Sequence, residues 1–144
     1  MLHVGEFPRG RALFVTPEYR DPAEVVDEQY PVWLTTGRRL AHYHTRTMSG
    51  LSAGPEFLVP EELVEVHPED VAAWGLADGG TAVLSSRRGR VLVKVAADDT
   101  SPRGTIFCSF SFSEVPVNVL TGSGYDPITD TAELKVCPVS IEPA

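Results

Sequence analysis

The chain has 144 residues, 42% of them hydrophobic and 22% charged, which is the composition of one globular domain with room for a core. Its formal net charge of -8 argues against a nucleic-acid backbone as partner, and no apolar run approaches the roughly 20 residues that cross a bilayer, so no membrane insertion is expected. The two cysteines, Cys108 and Cys137, follow no CxxC spacing, and nothing resembles a signal peptide; they read as buried thiols in a reducing, cytoplasmic compartment.

Residues 1–29 read as a lead-in segment with one strand, residues 10–16, ended by Pro17 and followed by a polar connector from Asp21-Pro22. The opening Leu2-His3-Val4 carries no cap or turn signal, as if the chain continued something longer. At Val32, Trp33, Leu34 and Thr35 a run of apolar, aromatic and β-branched residues predicts a strand that breaks at Gly37. Residues 38–46 then carry three Arg, two His, a Tyr and a Thr, with only Leu40 and Ala41 apolar. A strand that ends in glycine and unloads donors and cations against an acidic background suits an anion, because glycine permits close backbone approach and Arg and Thr donate to phosphate-like oxygens.

Residues 49–60 read as a loop and residues 63–66 as a short strand. A helix is predicted over 68–74: Pro68 fits the first helical position, Glu69 and Asp70 suit the first turn, Val71 and Trp74 share one face, and Gly75 is the stop. Strands over 81–86 and 90–97 flank Arg87-Arg88-Gly89, a hairpin turn with glycine available for positive φ. Val91, Val93 and Val95 alternate with more exposed positions. Arg87 and Arg88 read as solvated or as touching a neighbouring domain. Residues 105–112 predict a strand, 114–120 a short helix or irregular segment broken by Pro116, 122–130 a loop, and 134–141 the final strand. Six or seven short strands, two short helices and many Gly/Pro turns predict a mainly β protein, a small closed barrel with helices at its ends.

His42 and His44 invite a metal, but no third ligand has an evident spacing, so no metal site is expected. His3 and His67 read as structural. Ser109 and Ser111 have no partner that would make either a nucleophile, and Phe107, Phe110 and Phe112 read as core.

Thr36-Gly37-Arg38 followed by His42-Tyr43-His44-Thr45 resembles the C-terminal dinucleotide-binding domain of molybdopterin oxidoreductases (the DMSO reductase family), nearest the formate dehydrogenase large (alpha) subunit, with nitrate reductases next. Leu2-His3 and residues 7–14 resemble its lead-in. Tyr30-Pro31, Val66-His67-Pro68-Glu69-Asp70, Gly75-Leu76, Asp78-Gly79, residues 85–89, Asn118-Val119-Leu120-Thr121, Asp126-Pro127 and Glu133-Leu134-Lys135-Val136 follow in the family's order.

The resemblance implies a double-psi β-barrel over residues 30–144 and a molybdopterin guanine dinucleotide, one of the two (bis-MGD) that hold molybdenum or tungsten. It implies cofactor contacts at Thr36, Gly37, Arg38, Arg39, Leu40, Ala41, His42, Tyr43, His44, Thr45, Asn118 and Lys135, with Phe110 and Arg46 at the pocket. Tyr43 stands where the family commonly has Trp, and Arg46 where it commonly has a small residue. Arg38 is then a fork for pyrophosphate oxygens, Asn118 a partner for a pterin or purine edge, and Lys135 a point charge. No catalytic residue is expected in this chain: the metal's protein ligand and the iron–sulfur cluster come from upstream catalytic domains of the same polypeptide. The alternatives are a nitrate reductase domain, a protein-docking barrel and a standalone accessory subunit.

Overall fold

The computed structural model describes Gly5 and residues 9–144; the lead-in likeness at Leu2-His3 and Phe7-Pro8 and the structural reading of His3 lie outside the described residues. The order of elements is β1 (Val32–Gly37), α1 (Ala53–Leu58), β2 (Val64–Val66), α2 (Pro68–Ala73), β3 (Thr81–Ser85), β4 (Arg90–Ala97), β5 (Thr105–Ser109), β6 (Tyr125–Asp126), β7 (Thr131–Ala132) and β8 (Cys137–Pro143). Single 3-10 turns lie at Ser49–Leu51 and Val117–Val119.

Six strands close into a barrel in the order β1-β5-β2-β4-β3-β8. The pairs β1/β5 and β2/β4 are parallel and the others antiparallel. Exchanging β1 with β4, β2 with β5 and β3 with β8 maps this order onto itself, and maps one parallel pair onto the other. That pseudo-two-fold relation makes the barrel double-psi. Closure leaves none of these six strands with a free edge. Tyr125–Asp126 and Thr131–Ala132 add a small hairpin that begins in the expected loop 122–130 and runs just past it.

Alternation along the strands fills the interior. Val91, Val93 and Val95 of β4 point inward, as their spacing predicts, and meet Leu34, Val64, Val66, Leu84, Ile106 and Val139, all buried. Each such side chain contributes roughly 1.5–3 kcal/mol by leaving water. The Arg87–Gly89 turn closes through Ser86 N–H donating to Gly89 O at 2.9 Å. Gly89 does not adopt positive φ there; a Cβ would sit 3.1 Å from Val119 O, so close approach of the 117–119 turn is what favours glycine.

α2 ends as expected. Gly75 takes φ +68°, Leu76 N–H donates to Val71 O at 2.9 Å and Gly75 N–H to Ala72 O at 3.3 Å, the Schellman pattern. His67 caps its start by accepting from Glu69 N–H at 3.1 Å. Buried Asp70 accepts from Gly104 N–H at 2.6 Å, tying α2 to the turn before β5.

Four expectations change. Residues 11–16 form no strand: Leu13, Phe14 and Val15 are exposed, so no apolar face in this chain rewards pairing. Residues 49–60 contain α1. β5 stops at Ser109 rather than 112, because Ser109 N–H turns to the Glu62 carboxylate and Phe110 N–H to Gly37 O. Arg87 and Arg88, read as solvated or as touching a neighbouring domain, hold the lead-in segment: Arg87 pairs with Glu24 and Asp27 and stacks on Tyr30, and Arg88 pairs with Glu24 and donates to Leu120 O.

Candidate functional site

Parallel pairing of β1 and β5 brings their carboxyl ends together, Gly37 opposite Ser109. The loop after β1 (residues 38–48) and the loop after β5 (residues 110–120) therefore leave the barrel at one end. β8 runs antiparallel to β1, with Leu34 opposite Cys137, so the residues before β8 reach the same end. Thr36 Oγ1 donates to Leu134 O at 2.6 Å, and Lys135 Nζ donates to Thr36 O at 2.8 Å. Topology alone thus converges three distant segments on the end of β1.

Between the two loops lies a cleft of about 480 Å³, lined among others by Thr45, Arg46, Phe110, Ser111, Phe112 and Asn118. Lys135 faces a separate hollow beside Trp33 and Thr35, so the structure brings Asn118 to the loop's second half and Lys135 to its first residue.

The loop is pinned from within. His42 is buried; its Nε2 lies 2.6 Å from Val59 O and must donate to it, and its Nδ1 lies 3.1 Å from Ser49 Oγ. Ser49 Oγ also accepts from Tyr43 N–H at 3.0 Å. With both ring nitrogens engaged and Phe112 edge-on at 5.2 Å, His42 sets loop shape. Leu40, Tyr43, His44 and Thr45 are exposed, and Ala41 is half-buried. His44 and Arg46 have φ of +49° and +62°, a region non-glycine residues enter rarely. Gly37 is not at positive φ; a Cβ there would strike the Phe107 ring.

The three loop arginines divide. Arg39 stacks on Phe107 and spends its terminal donors on Glu65, Glu62 and Leu63 O. Burial works against its charge, but Glu65 and Glu62 outweigh that and raise its affinity for the proton. Arg46 forks onto Glu56 at 2.6 and 2.7 Å, reaches Glu114 at 3.1 and 3.3 Å, and lies over Phe112 at 4.6 Å. Hydrogen bonding to Glu56 leads its upward shift. Arg38 is exposed, 5.9 Å over Phe110, with no carboxylate within 4.0 Å among the described residues. Of the loop's three arginines it alone has no ion pair among the described residues.

Sequence reasoning missed the carboxylates that neutralise Arg39 and Arg46. Glu62 is 23 residues from Arg39, and Glu114 is 68 from Arg46. Only the run Glu61-Glu62-Leu63-Val64-Glu65 beside three loop arginines hinted at pairing. It also missed Ser111, a buried residue on the cleft wall whose Oγ has no hydrogen-bond partner. Among the described residues no three of His, Cys, Asp and Glu gather to hold a metal ion, and no helix is long and apolar enough to cross a membrane.

Against known proteins, residues 32–138 match the family described as "Molydopterin dinucleotide binding domain". The chain is 38% identical over 144 residues to "F420-dependent formate dehydrogenase 2 subunit alpha" of Methanococcus maripaludis, covering 99% of this chain and 21% of that protein. It is 36% identical over 144 residues to the F420-dependent formate dehydrogenase subunit alpha of Methanocaldococcus jannaschii, with the same coverage. The chain thus spans about a fifth of the length of these relatives. Acetylene hydratase from Pelobacter acetylenicus shares the fold, with a TM-score of 0.69 and 17% identity over 80% of this chain and 18% of that one. A double-psi barrel whose β1 and β5 loops face one cleft, matched from Val32 to Pro138, belongs to the molybdopterin dinucleotide-binding domain family.

Proposed function

We propose that the chain binds a molybdopterin guanine dinucleotide as the C-terminal domain of a formate dehydrogenase-like oxidoreductase. The observation that carries this reading is the cleft between the β1 and β5 loops, with the uncommitted Arg38, the exposed Asn118 and the unpartnered Ser111 Oγ around it. This donor set fits a phosphorylated, nitrogen-rich ligand. Arg38 offers a guanidinium fork for diphosphate oxygens. Asn118 offers both donor and acceptor to a purine or pterin edge. Thr45 and Arg46 of the loop after β1 stand on the cleft wall, His42 shapes that loop from within, and Lys135 fixes Thr36 at its root.

The bound molybdopterin supplies the metal ion, molybdenum or tungsten, and in the bis form a second dinucleotide shares that metal. This chain's part is to bind and orient. The metal's protein ligand, an iron–sulfur cluster and the pocket acids and bases belong, in this proposal, to upstream catalytic domains of the same polypeptide. Exposed Leu40, Leu51, Phe57 and Leu58 beside the site are surface such domains would cover. Formate is favoured over nitrate as substrate because the curated relatives named above are formate dehydrogenase subunits. A barrel over residues 30–144 preceded by a lead-in segment, and a cytoplasmic location, belong to the same proposal; fractionation of the source cells tests the latter.

The test is Arg38→Ala and Asn118→Ala in the complete enzyme. Expected is loss of molybdopterin, read as metal content and as pterin fluorescence after release. Unchanged retention of both sinks the reading. The exposed apolar residues also suit a second reading, a docking or accessory subunit acting in trans. An immunoblot separates the two: a band several times larger than 15.6 kDa favours the domain, and a band at that size the separate subunit.

A further inference from the structure

Arg46 has two unequal partners. Its Nε and Nη2 form a fork on Glu56 Oε1 and Oε2, at 2.6 and 2.7 Å. Its Nη1 reaches the two oxygens of Glu114 at 3.1 and 3.3 Å. The Glu56 side chain is 28% exposed and that of Glu114 65%. The fork is the stronger, geometry-specific contact, whereas an exposed one-nitrogen pair is worth little. Glu114 comes from the loop after β5 and Arg46 from the loop after β1, so this weak arm ties the two loops together beside the cleft that Arg46 lines. Two carboxylates on one guanidinium leave an excess negative charge there, which disfavours an anion.

A second observation on the same wall points to a ligand. Ser111 is buried, its N–H donates to Ser109 Oγ at 3.2 Å, and its own Oγ has no partner. A buried hydroxyl without a partner costs free energy that a ligand oxygen or nitrogen recovers. Phe112 under the guanidinium holds Arg46 in place whichever carboxylate it carries.

We infer that Glu114 is a displaceable counter-ion. An anionic group of the dinucleotide takes Nη1 of Arg46 in place of Glu114, the Glu56 fork stays, and Ser111 Oγ donates to the same ligand. This rests on the reading of the cleft as the dinucleotide site. The exchange keeps Arg46 charged and trades one weak ion pair for another at the moment of binding. It makes Glu114 a selectivity element against weakly charged ligands, because only an anion competes for the guanidinium.

The probes are GDP and guanosine, titrated calorimetrically into the 144-residue chain, with thermal melts confirming that each variant folds. Glu114→Gln should tighten GDP about two- to fivefold and leave guanosine unchanged. Glu114→Gln combined with Arg46→Gln should lose that gain, and Arg46→Lys, which keeps the charge without the fork, should retain part of it. Ser111→Ala should weaken GDP. If Arg38→Ala weakens GDP while Glu114→Gln leaves it unchanged or weaker, the displacement is wrong and the cleft reading stands. If GDP does not bind, or none of these variants moves it, both are wrong.

Discussion

Glu62 accepts a hydrogen bond from the backbone N–H of Ser109 at 2.7 Å, across 47 residues of sequence. The same carboxylate takes the Ser109 hydroxyl and, at 2.8 Å, Arg39 Nη2. Its side chain is fully enclosed. One buried carboxylate thus fixes where β5 ends and where the loop after β1 begins.

Removing that carboxylate leaves two Ser109 donors without an acceptor and Arg39 with Glu65 and Leu63 O alone. Glu62→Ala should destabilise the chain by about 2–3 kcal/mol, since buried Ser109 donors lose their acceptor while Arg39 keeps Glu65. Glu62→Gln keeps a neutral acceptor and should cost about 1–2 kcal/mol. Urea denaturation of the three proteins measures both. Equal stability of Glu62→Ala and the native chain would remove this pair from the account of the site.

Gly37 and Phe107 are a packing pair, since a Cβ on Gly37 would strike the ring two positions before its strand partner Ser109. Gly37→Ala should cost about 1 kcal/mol or more by overpacking. Phe107→Leu in the same chain should recover part of that cost. A double-mutant cycle with no coupling between the two positions would show that the ring swings aside freely.

The barrel was legible in the sequence where its pattern is local. Val91, Val93 and Val95 announced β4, and Pro68 with Gly75 bounded α2, because alternation and caps are short-range signals. The pseudo-two-fold strand order was not legible from periodicity, since parallel pairing of β1 with β5 is set by crossovers. The resemblance at Thr36-Gly37-Arg38 is what supplied it. In the loop after β1, the run of cations was legible in the sequence and its ion pairing was not. Arg39 and Arg46 look as free as Arg38 in sequence, and only the fold brings Glu62, Glu65, Glu56 and Glu114 to them. The strand expected at residues 10–16 failed for a related reason, because Leu13, Phe14 and Val15 have the composition of a strand and nothing in this chain to pair with.

Cys108 and Cys137 are both free and buried. Burial pushes each thiol up from its ordinary range, with the Glu62 carboxylate adding to the shift at Cys108 and Arg88 opposing it at Cys137. The thiolate is the reactive form. Neither should react with a disulfide reagent at neutral pH in the folded chain, and both should react in denaturant. Of the two, Cys137 should react first, because Arg88 Nη2 lies 3.3 Å from its sulfur and opposes the upward shift. Rapid labelling of Cys108 in the native state would contradict its place in the barrel interior.

Acid should release the lead-in segment before it opens the barrel. Glu24 is held below its ordinary 4.5 chiefly by Arg88, and Asp27 below its ordinary 3.8 by the Tyr30 N–H and then Arg87. A carboxyl with a depressed folded value adds stability above its unfolded value and loses it as pH falls through the folded one. The hold on residues 20–30 is therefore complete above about pH 4.5 and fades below about pH 4. An acid-active protease should cut between residues 9 and 30 readily at pH 3 and slowly at pH 6, with the barrel intact in both. Glu24→Gln removes the main partner of Arg88, so cleavage by a neutral protease at pH 7 should already be fast and its pH dependence flattened. Equal cutting of Glu24→Gln and the native chain at pH 7 would mean that Ala23 N–H on Glu133, at 3.0 Å, and not the arginine pair, secures the segment.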